Sequence, residues 1–199
     1  MTVSSKSEPR LLFFAGSARE KSWNKKLAKL GENIADANGI KATFLDLADY
    51  PMPLYCGDIE VKDGPPDNAR KLKALMSVHT GIFIASPEYN ASFSALLKNA
   101  LDWVSHSKDD GLPGLEVFKT RVFALGSASP GGMGGLRGLS QLRLVLELGL
   151  GALVLPDQFA VPRAMDAFDE HNHLKNKDSQ EQFKLVIQKL ARAAHVLHG

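Results

Sequence analysis

The chain reads as an α/β protein, a parallel sheet sandwiched between two layers of helices, and three features predict this. Five short apolar runs of strand length recur along the 199 residues. Five segments with helical periodicity alternate with them. Such alternation builds a parallel sheet covered on both faces. No internal repeat, low-complexity tract or linker breaks the pattern. The length suits one well-buried domain, 1–199, and would cramp two.

Taken in order, Leu-Leu-Phe-Phe-Ala at 11–15 is the first strand. Residues 23–38 form a helix with Leu27, Leu30, Ile34 and Ala35 on one face, stopped by Asn38-Gly39. Residues 41–46 are the second strand. The stretch 47–66 holds Pro51, Pro53, Pro65 and Pro66 and is expected to lack regular structure. A helix over 67–79 leads to the third strand, 81–86. In 92–106, Phe93, Leu96, Leu97, Ala100, Leu101 and Val104 share one helical face. The fourth strand is 120–126. A glycine-rich stretch, 127–135, opens a leucine-rich helix that reaches about residue 148. A short fifth strand, 152–155, is followed by a polar loop over 157–177 and a last helix over 179–197.

Composition narrows the function. There are 24 basic and 22 acidic residues, a formal charge of +2, with no basic stripe interleaved with aromatics. Nucleic acid is therefore not an expected partner. No apolar run approaches the roughly 20 residues of a membrane span. Residues 1–9 are polar, carry no signal-peptide core and are expected to be disordered. Cys56 is the only cysteine, so no intramolecular disulfide forms, and a cytoplasmic location is expected. With one cysteine and histidines at 79, 106, 171, 173, 195 and 198, no metal site is expected.

In sheets of this kind ligands bind beyond the carboxyl ends of the strands, at the switch point. Three loops there carry polar chemistry. After strand one comes Gly16-Ser17-Ala18-Arg19-Glu20-Lys21-Ser22-Trp23-Asn24. Two hydroxyls, an amide, a guanidinium and a helix N-terminus make a phosphate site. The pattern is neither Walker A nor Gly-x-Gly-x-x-Gly. The same residues also read as a polar turn with a serine cap. After strand three comes Ser86-Pro87-Glu88-Tyr89-Asn90, where an exposed Tyr beside Asn suits a flat ligand, though a capped proline turn accounts for it equally. After strand four, Ser127 to Gly135 holds four glycines, which let backbone approach a ligand closely or simply make a surface loop.

The run Gly-Ser-x-Arg-x-x-Ser-x-Asn at 16–24 resembles the phosphate loop of the NAD(P)H-dependent FMN reductases. Pro87-Glu88-Tyr89-Asn90, followed by a helix with Leu97-Lys98-Asn99-Ala100-Leu101-Asp102-Trp103, is similar to that family's ring-binding loop. The likeness covers roughly residues 11–155. It implies a flavodoxin-like three-layer sandwich with a five-stranded parallel sheet in the order 2-1-3-4-5. It also implies FMN as cofactor and NADH or NADPH as reductant. The implied acceptors are quinones, azo dyes, free flavin or chromate, reached by hydride transfer in a ping-pong cycle. Carried over, Ser17, Arg19, Ser22 and Asn24 hold the FMN phosphate, with the Trp23 backbone N–H. Pro87, Glu88, Tyr89 and Asn90 line the ring, and Ser127 and Gly131 approach it from the third loop. Ala128-Ser129-Pro130 departs from the family, where Gly-Gly often follows the strand-four serine. No acid–base pair is evident, which suits chemistry carried by a cofactor. The alternatives are a non-catalytic flavodoxin-type electron carrier and a flavin-sensing module.

Leu136, Leu139, Leu142, Leu144, Val145, Leu146 and Leu148 point nearly all around their helix. One face packs on the sheet and the rest needs cover, so a homodimer or homotetramer is expected. Arg143 and Glu147 are spaced i, i+4 there, as a weak surface pair or as interface groups.

Overall fold

The computed structural model describes residues 8–108 and 111–198; of the disorder expected for 1–9, residues 1–7 lie outside the described residues, while Glu8 and Pro9 lead directly into the first strand, Glu8 3.3 Å from Lys41. In chain order the elements are β1 (Arg10–Ala15), α1 (Trp23–Ala37), β2 (Lys41–Asp46), α2 (Gly57–Asp63), α3 (Asp67–Ser77), β3 (Gly81–Ala85), β4 (Glu88–Tyr89), β5 (Ser92–Phe93) and α4 (Ala95–His106). There follow α5 (Glu116–Lys119), β6 (Val122–Ala128), α6 (Leu136–Leu144), β7 (Leu153–Val161), α7 (Ala164–Ala167) and α8 (Lys177–His198). The main sheet runs β2-β1-β3-β6-β7 with all neighbours parallel. Counting only its five strands, that is the expected order 2-1-3-4-5.

Each central strand is apolar on both faces, so alternate residues feed two cores. Leu11, Phe13, Phe83, Val122 and Ala124 pack under α1 and α8. Leu12, Phe14, Ile82, Ile84, Phe123 and Leu125 pack under α3, α4 and α6. Phe183 of α8 meets Phe83 at 5.4 Å and Phe159 at 4.8 Å between ring centres, tying the last helix to the middle and edge of the sheet. Each fully buried side chain of this size contributes about 2–3 kcal/mol of transfer free energy.

The register lines up the strand ends. Ala15 sits beside Ala85, Ala85 beside Gly126, and Gly126 beside Phe159. The ladder continues one step further, with Gly16 N–H donating to Ala85 O and Ser86 N–H to Gly126 O. The loops after β1, β3 and β6 therefore rise side by side from one edge.

Several boundaries differ from expectation. The 92–106 helix begins at Ala95, because Ser94 takes the cap and accepts from Leu97 N–H at 3.2 Å. Ser92–Phe93 instead pairs with Glu88–Tyr89 across a two-residue turn in which Asn90 and Ala91 both have positive φ. The 47–66 stretch is not irregular. It holds a 3-10 turn, Leu47–Asp49, and the helix α2. None of the α2 residues is buried. The segment is anchored by Asn99, which accepts from Tyr55 N–H and donates to the Pro53 carbonyl.

The fifth strand runs on to Val161 instead of ending at 155. Pro156 is tolerated because it falls where the β6–β7 register shifts, on an edge strand. Arg143 does not remain a surface pair with Glu147, although that contact exists at 2.7 Å. Its guanidinium also donates to the carbonyls of Leu155 (2.6 Å) and Val154 (3.4 Å), pinning the irregular part of β7. The leucine-rich helix ends in a π turn, Val145–Gly149. Leu139, Leu142 and Leu146 are buried there, while Leu144 and Leu148 are 50% and 82% exposed.

Candidate functional site

The aligned loops enclose a cleft of ≈ 260 Å³. It is lined by Ser17, Arg19, Ser22, Trp23 and Asn24 from the first loop, by Pro87, Glu88 and Tyr89 from the second, and by Ala128, Ser129 and Pro130 from the third. Asn90, Ser127 and Gly131 are not among the lining residues.

The first loop gathers hydrogen-bond donors around the N-terminus of α1. Ser22 caps α1 and accepts from Lys25 N–H at 3.4 Å. Ser17 Oγ accepts from Arg19 N–H at 3.3 Å. Both serines are buried, and each hydroxyl keeps its proton to donate. The first N–H groups of α1, on Trp23 and Asn24, have no intrahelical acceptor. The Arg19 guanidinium lies 5.8 Å from the centre of the Trp23 ring, which holds a positive charge at the mouth. Ser94, which sequence reading missed because it was hidden inside the expected helix, donates to Gly16 O at 2.5 Å and so ties this loop to the start of α4.

Asn24 differs from its neighbours. Its amide donates to Ala128 O and accepts from Ala128 N–H, both at 2.9 Å. The side chain is thus spent on clamping α1 to the end of β6. It lines the cleft but has little left to offer a phosphate.

Glu88 is likewise turned away. Its carboxylate pairs with Arg137, accepting from Nε at 2.8 Å, and accepts from the Gly138 N–H at 3.2 Å. Burial favours the neutral acid, but the Arg137 and Gly138 hydrogen bonds outweigh it and hold the carboxyl below the usual range. Glu88 therefore joins the β4–β5 hairpin to the start of α6 as a neutralised anion. Tyr89 stands half exposed at the rim. Asn90 is at the exposed tip of the turn, in the left-handed region.

In the third loop Ser127 lies within β6, fully buried, and its Oγ has no hydrogen-bond partner among the described residues. It fills the space under Gly135, where a Cβ would come within 1.9 Å of it. Gly134 and Gly135 both have positive φ, at 62° and 90°, so this turn needs glycine twice over. Gly131 is exposed, with its N–H on Ser129 Oγ at 3.3 Å. Ser129 and Pro130, at the point of departure from the family pattern, take the lining positions.

The donor set matches a phosphorylated ligand. Two buried hydroxyls, a helix N-terminus and one guanidinium converge on one end, and the one carboxylate of the lining is neutralised by Arg137. Among the described residues no three His, Cys, Asp or Glu side chains gather as metal ligands.

A parallel sheet in this order with a donor-lined cleft beyond its strand ends defines a doubly wound α/β protein of flavodoxin-like fold, with its ligand cleft at the switch point. The chain belongs to the NADPH-dependent FMN reductase family, whose model matches residues 9–166. It is 32% identical over 193 residues to a probable NADPH:quinone oxidoreductase 2 of Oryza sativa, covering 96% of this chain and 91% of the relative. It is 34% identical over 140 residues to a quinone reductase of Escherichia coli, covering 70% of each. Among solved structures, the flavoenzyme NAD(P)H:(acceptor) oxidoreductase FerB of Paracoccus denitrificans superposes with a TM-score of 0.78 at 22% identity, over 96% of this chain and 99% of that one. As a family member the chain is an oxidoreductase with FMN as cofactor and NAD(P)H as reductant.

Proposed function

We propose that this protein is an NAD(P)H:quinone oxidoreductase that serves reductant and acceptor in turn from one cleft. The observation that carries the reading is the cradle of Ser17, Ser22, Arg19 and the α1 N-terminus, continuous with the wall of Pro87, Tyr89, Ser129 and Pro130. Bound FMN supplies hydride uptake and release. The cradle holds its phosphate. Pro87 and Tyr89 border the ring, with Asn90 beside them in the chain, while Gly131 shapes the third loop, its N–H on Ser129 Oγ and its carbonyl on Gly134 and Arg163. Asn24 and Glu88 act one step back, fixing the loops to one another, and Ser127 packs under Gly135. An open cleft with no dedicated acid or base supports tolerance of several acceptors, with quinones first because the relatives above are named for them.

Shared use of the cleft makes the kinetics ping-pong, with parallel double-reciprocal lines. Leu144, Leu148 and Leu153 are each at least half exposed, which supports a homodimer or homotetramer. A gel-filtration mass of one subunit would remove that part of the proposal. Among the described residues no helix is long and apolar enough to cross a membrane. The cytoplasm is the proposed location. The deciding test is anaerobic stopped-flow absorbance of the FMN-loaded protein with NADPH or NADH. Bleaching of the flavin band, reversed by benzoquinone, supports the reading. FMN binding without bleaching by either nucleotide refutes it in favour of a carrier or sensor.

A further inference from the structure

A second cavity, of ≈ 360 Å³, opens behind the third loop, between the end of β7, α7 and the start of α8. Its floor is apolar, from Phe159, Val161 and Leu174, all buried. Its rim carries two cations, Arg163 and Lys175, and one anion, Asp166. An apolar floor under a net positive rim suits a flat heterocycle bearing a phosphate.

Three further observations tie this cavity to the cleft, and a fourth gives it a recognition group. The Ser129–Gly131 segment is the wall between them, held by Ser129 N–H to Val161 O (3.1 Å), Ala164 N–H to Ser129 O (3.0 Å) and Arg163 N–H to Gly131 O (3.3 Å). Ala128 of the cleft is the register partner of Val161 in the cavity floor, so the two spaces flank a single strand pair, about 5 Å wide. The crest of that wall is bare. Added Cβ atoms at Gly131 and Gly132 would meet nothing closer than Ser129 Oγ at 3.8 Å, so the fold does not demand glycine there as it does at 134 and 135. A ligand can therefore lie across it. Finally, Arg163 is held in the left-handed region at φ 48°, and its guanidinium makes no hydrogen bond or ion pair with any described residue. A strained residue that presents an unpaired charge to a cavity is a candidate for ligand recognition.

We propose that this cavity receives the adenosine half of the reductant, with Arg163 and Lys175 on the ribose 2′-phosphate, and so selects NADPH over NADH. The assignment rests on the proposed reductase reading, and its test separates the two. Adenosine 2′,5′-bisphosphate, which lacks the nicotinamide, is titrated calorimetrically into the FMN-loaded protein. The Arg163→Gly variant keeps the left-handed backbone and loses the charge, and Lys175→Gln serves as the second variant. The expected result is one bisphosphate bound per chain, weakened about tenfold or more by either substitution, with FMN affinity unchanged. KM for NADPH rises by a similar factor, while KM for NADH and kcat hold. The inference is overturned if the bisphosphate does not bind, or binds Arg163→Gly as tightly as the parent. Arg163-dependent binding without nucleotide oxidation upholds the cavity and removes the reductase reading. NADPH oxidation with a bisphosphate indifferent to Arg163 does the reverse.

Discussion

Replacing Asn24 by alanine should cost folding stability before it costs ligand binding. The residue is buried, and its amide exchanges two 2.9 Å hydrogen bonds with the Ala128 backbone. Alanine removes both bonds and leaves a buried N–H and a buried C=O unpaired at the end of β6. The two bonds are worth about 1 kcal/mol each net, and the orphaned groups add to that, for a total of about 2–4 kcal/mol. With an unfolding entropy near 2.1 cal/mol/K per residue, 3 kcal/mol lowers Tm by about 7 °C in a chain of 199 residues. Urea unfolding of the FMN-free protein, followed by circular dichroism, reads the loss without ligand linkage. FMN affinity, read by quenching of its fluorescence, should change far less, because Ser17, Ser22 and Arg19 remain. A variant within about 0.5 kcal/mol of the parent, the ordinary range for surface changes, that has nonetheless lost FMN affinity would refute the clamp. Asn24 would then return to the phosphate ligands.

Three further outcomes follow from the same geometry. The Glu88 carboxyl is desolvated, yet Arg137 and Gly138 hold it below its usual range. Its stabilisation is therefore present above the unfolded-state value and is lost as pH falls through the lower folded value. The urea midpoint of Glu88→Gln should trail the parent most at neutral pH and converge with it in acid; a constant gap would contradict this. His79 is buried between the Leu75 carbonyl (2.7 Å) and Thr43 Oγ1 (2.9 Å). Burial pushes its pKa down against the pull of the Leu75 carbonyl, and Arg10 and Arg121 add to the drop. The unfolded chain then takes up the proton first, so stability should fall as pH drops through about 6.5, and His79→Gln should lack that slope in pH-dependent melts. Ala91 sits at φ 64° in the β4–β5 turn. Ala91→Gly should raise stability by about 1 kcal/mol, read as a higher Tm, since left-handed backbone strains any side chain with a Cβ.

The middle of the main sheet was legible because β1, β3 and β6 are nearly continuous apolar runs, and burial on both faces needs nothing subtler. Helix α2 was not, because it buries none of its residues and so leaves no periodicity to read. It is fixed from outside, by Asn99 on Pro53 and Tyr55. The latter part of β7 was hidden by Pro156-Asp157, which signals a loop in most contexts and is tolerated here on an irregular edge. The carbonyls left by that irregularity are answered by Arg143, from eleven and twelve residues away along the chain.

The cleft was legible in the sequence as three polar loops on one sheet edge, and less so in the partners its side chains find. The motif residues separate into those whose donors remain free at the cleft and those whose polar groups are already taken. Ser17, Ser22 and Arg19 keep donors free. Asn24 spends its amide on a backbone 104 residues away, and Glu88 spends its carboxylate on a helix start 50 residues away. No local pattern shows which partner such a side chain finds, because the partner is set by the sheet order. Yet the two groups depend on each other. The cradle faces Pro87 and Pro130 only because Asn24 ties α1 to β6 and Glu88 ties the hairpin to α6, so part of the motif is spent on holding the rest in place. Fixing the loops before a ligand arrives removes an ordering cost that binding would otherwise carry. A polar residue in such a motif is therefore informative about function even where it touches no ligand, because it sets the distance between the loops that do.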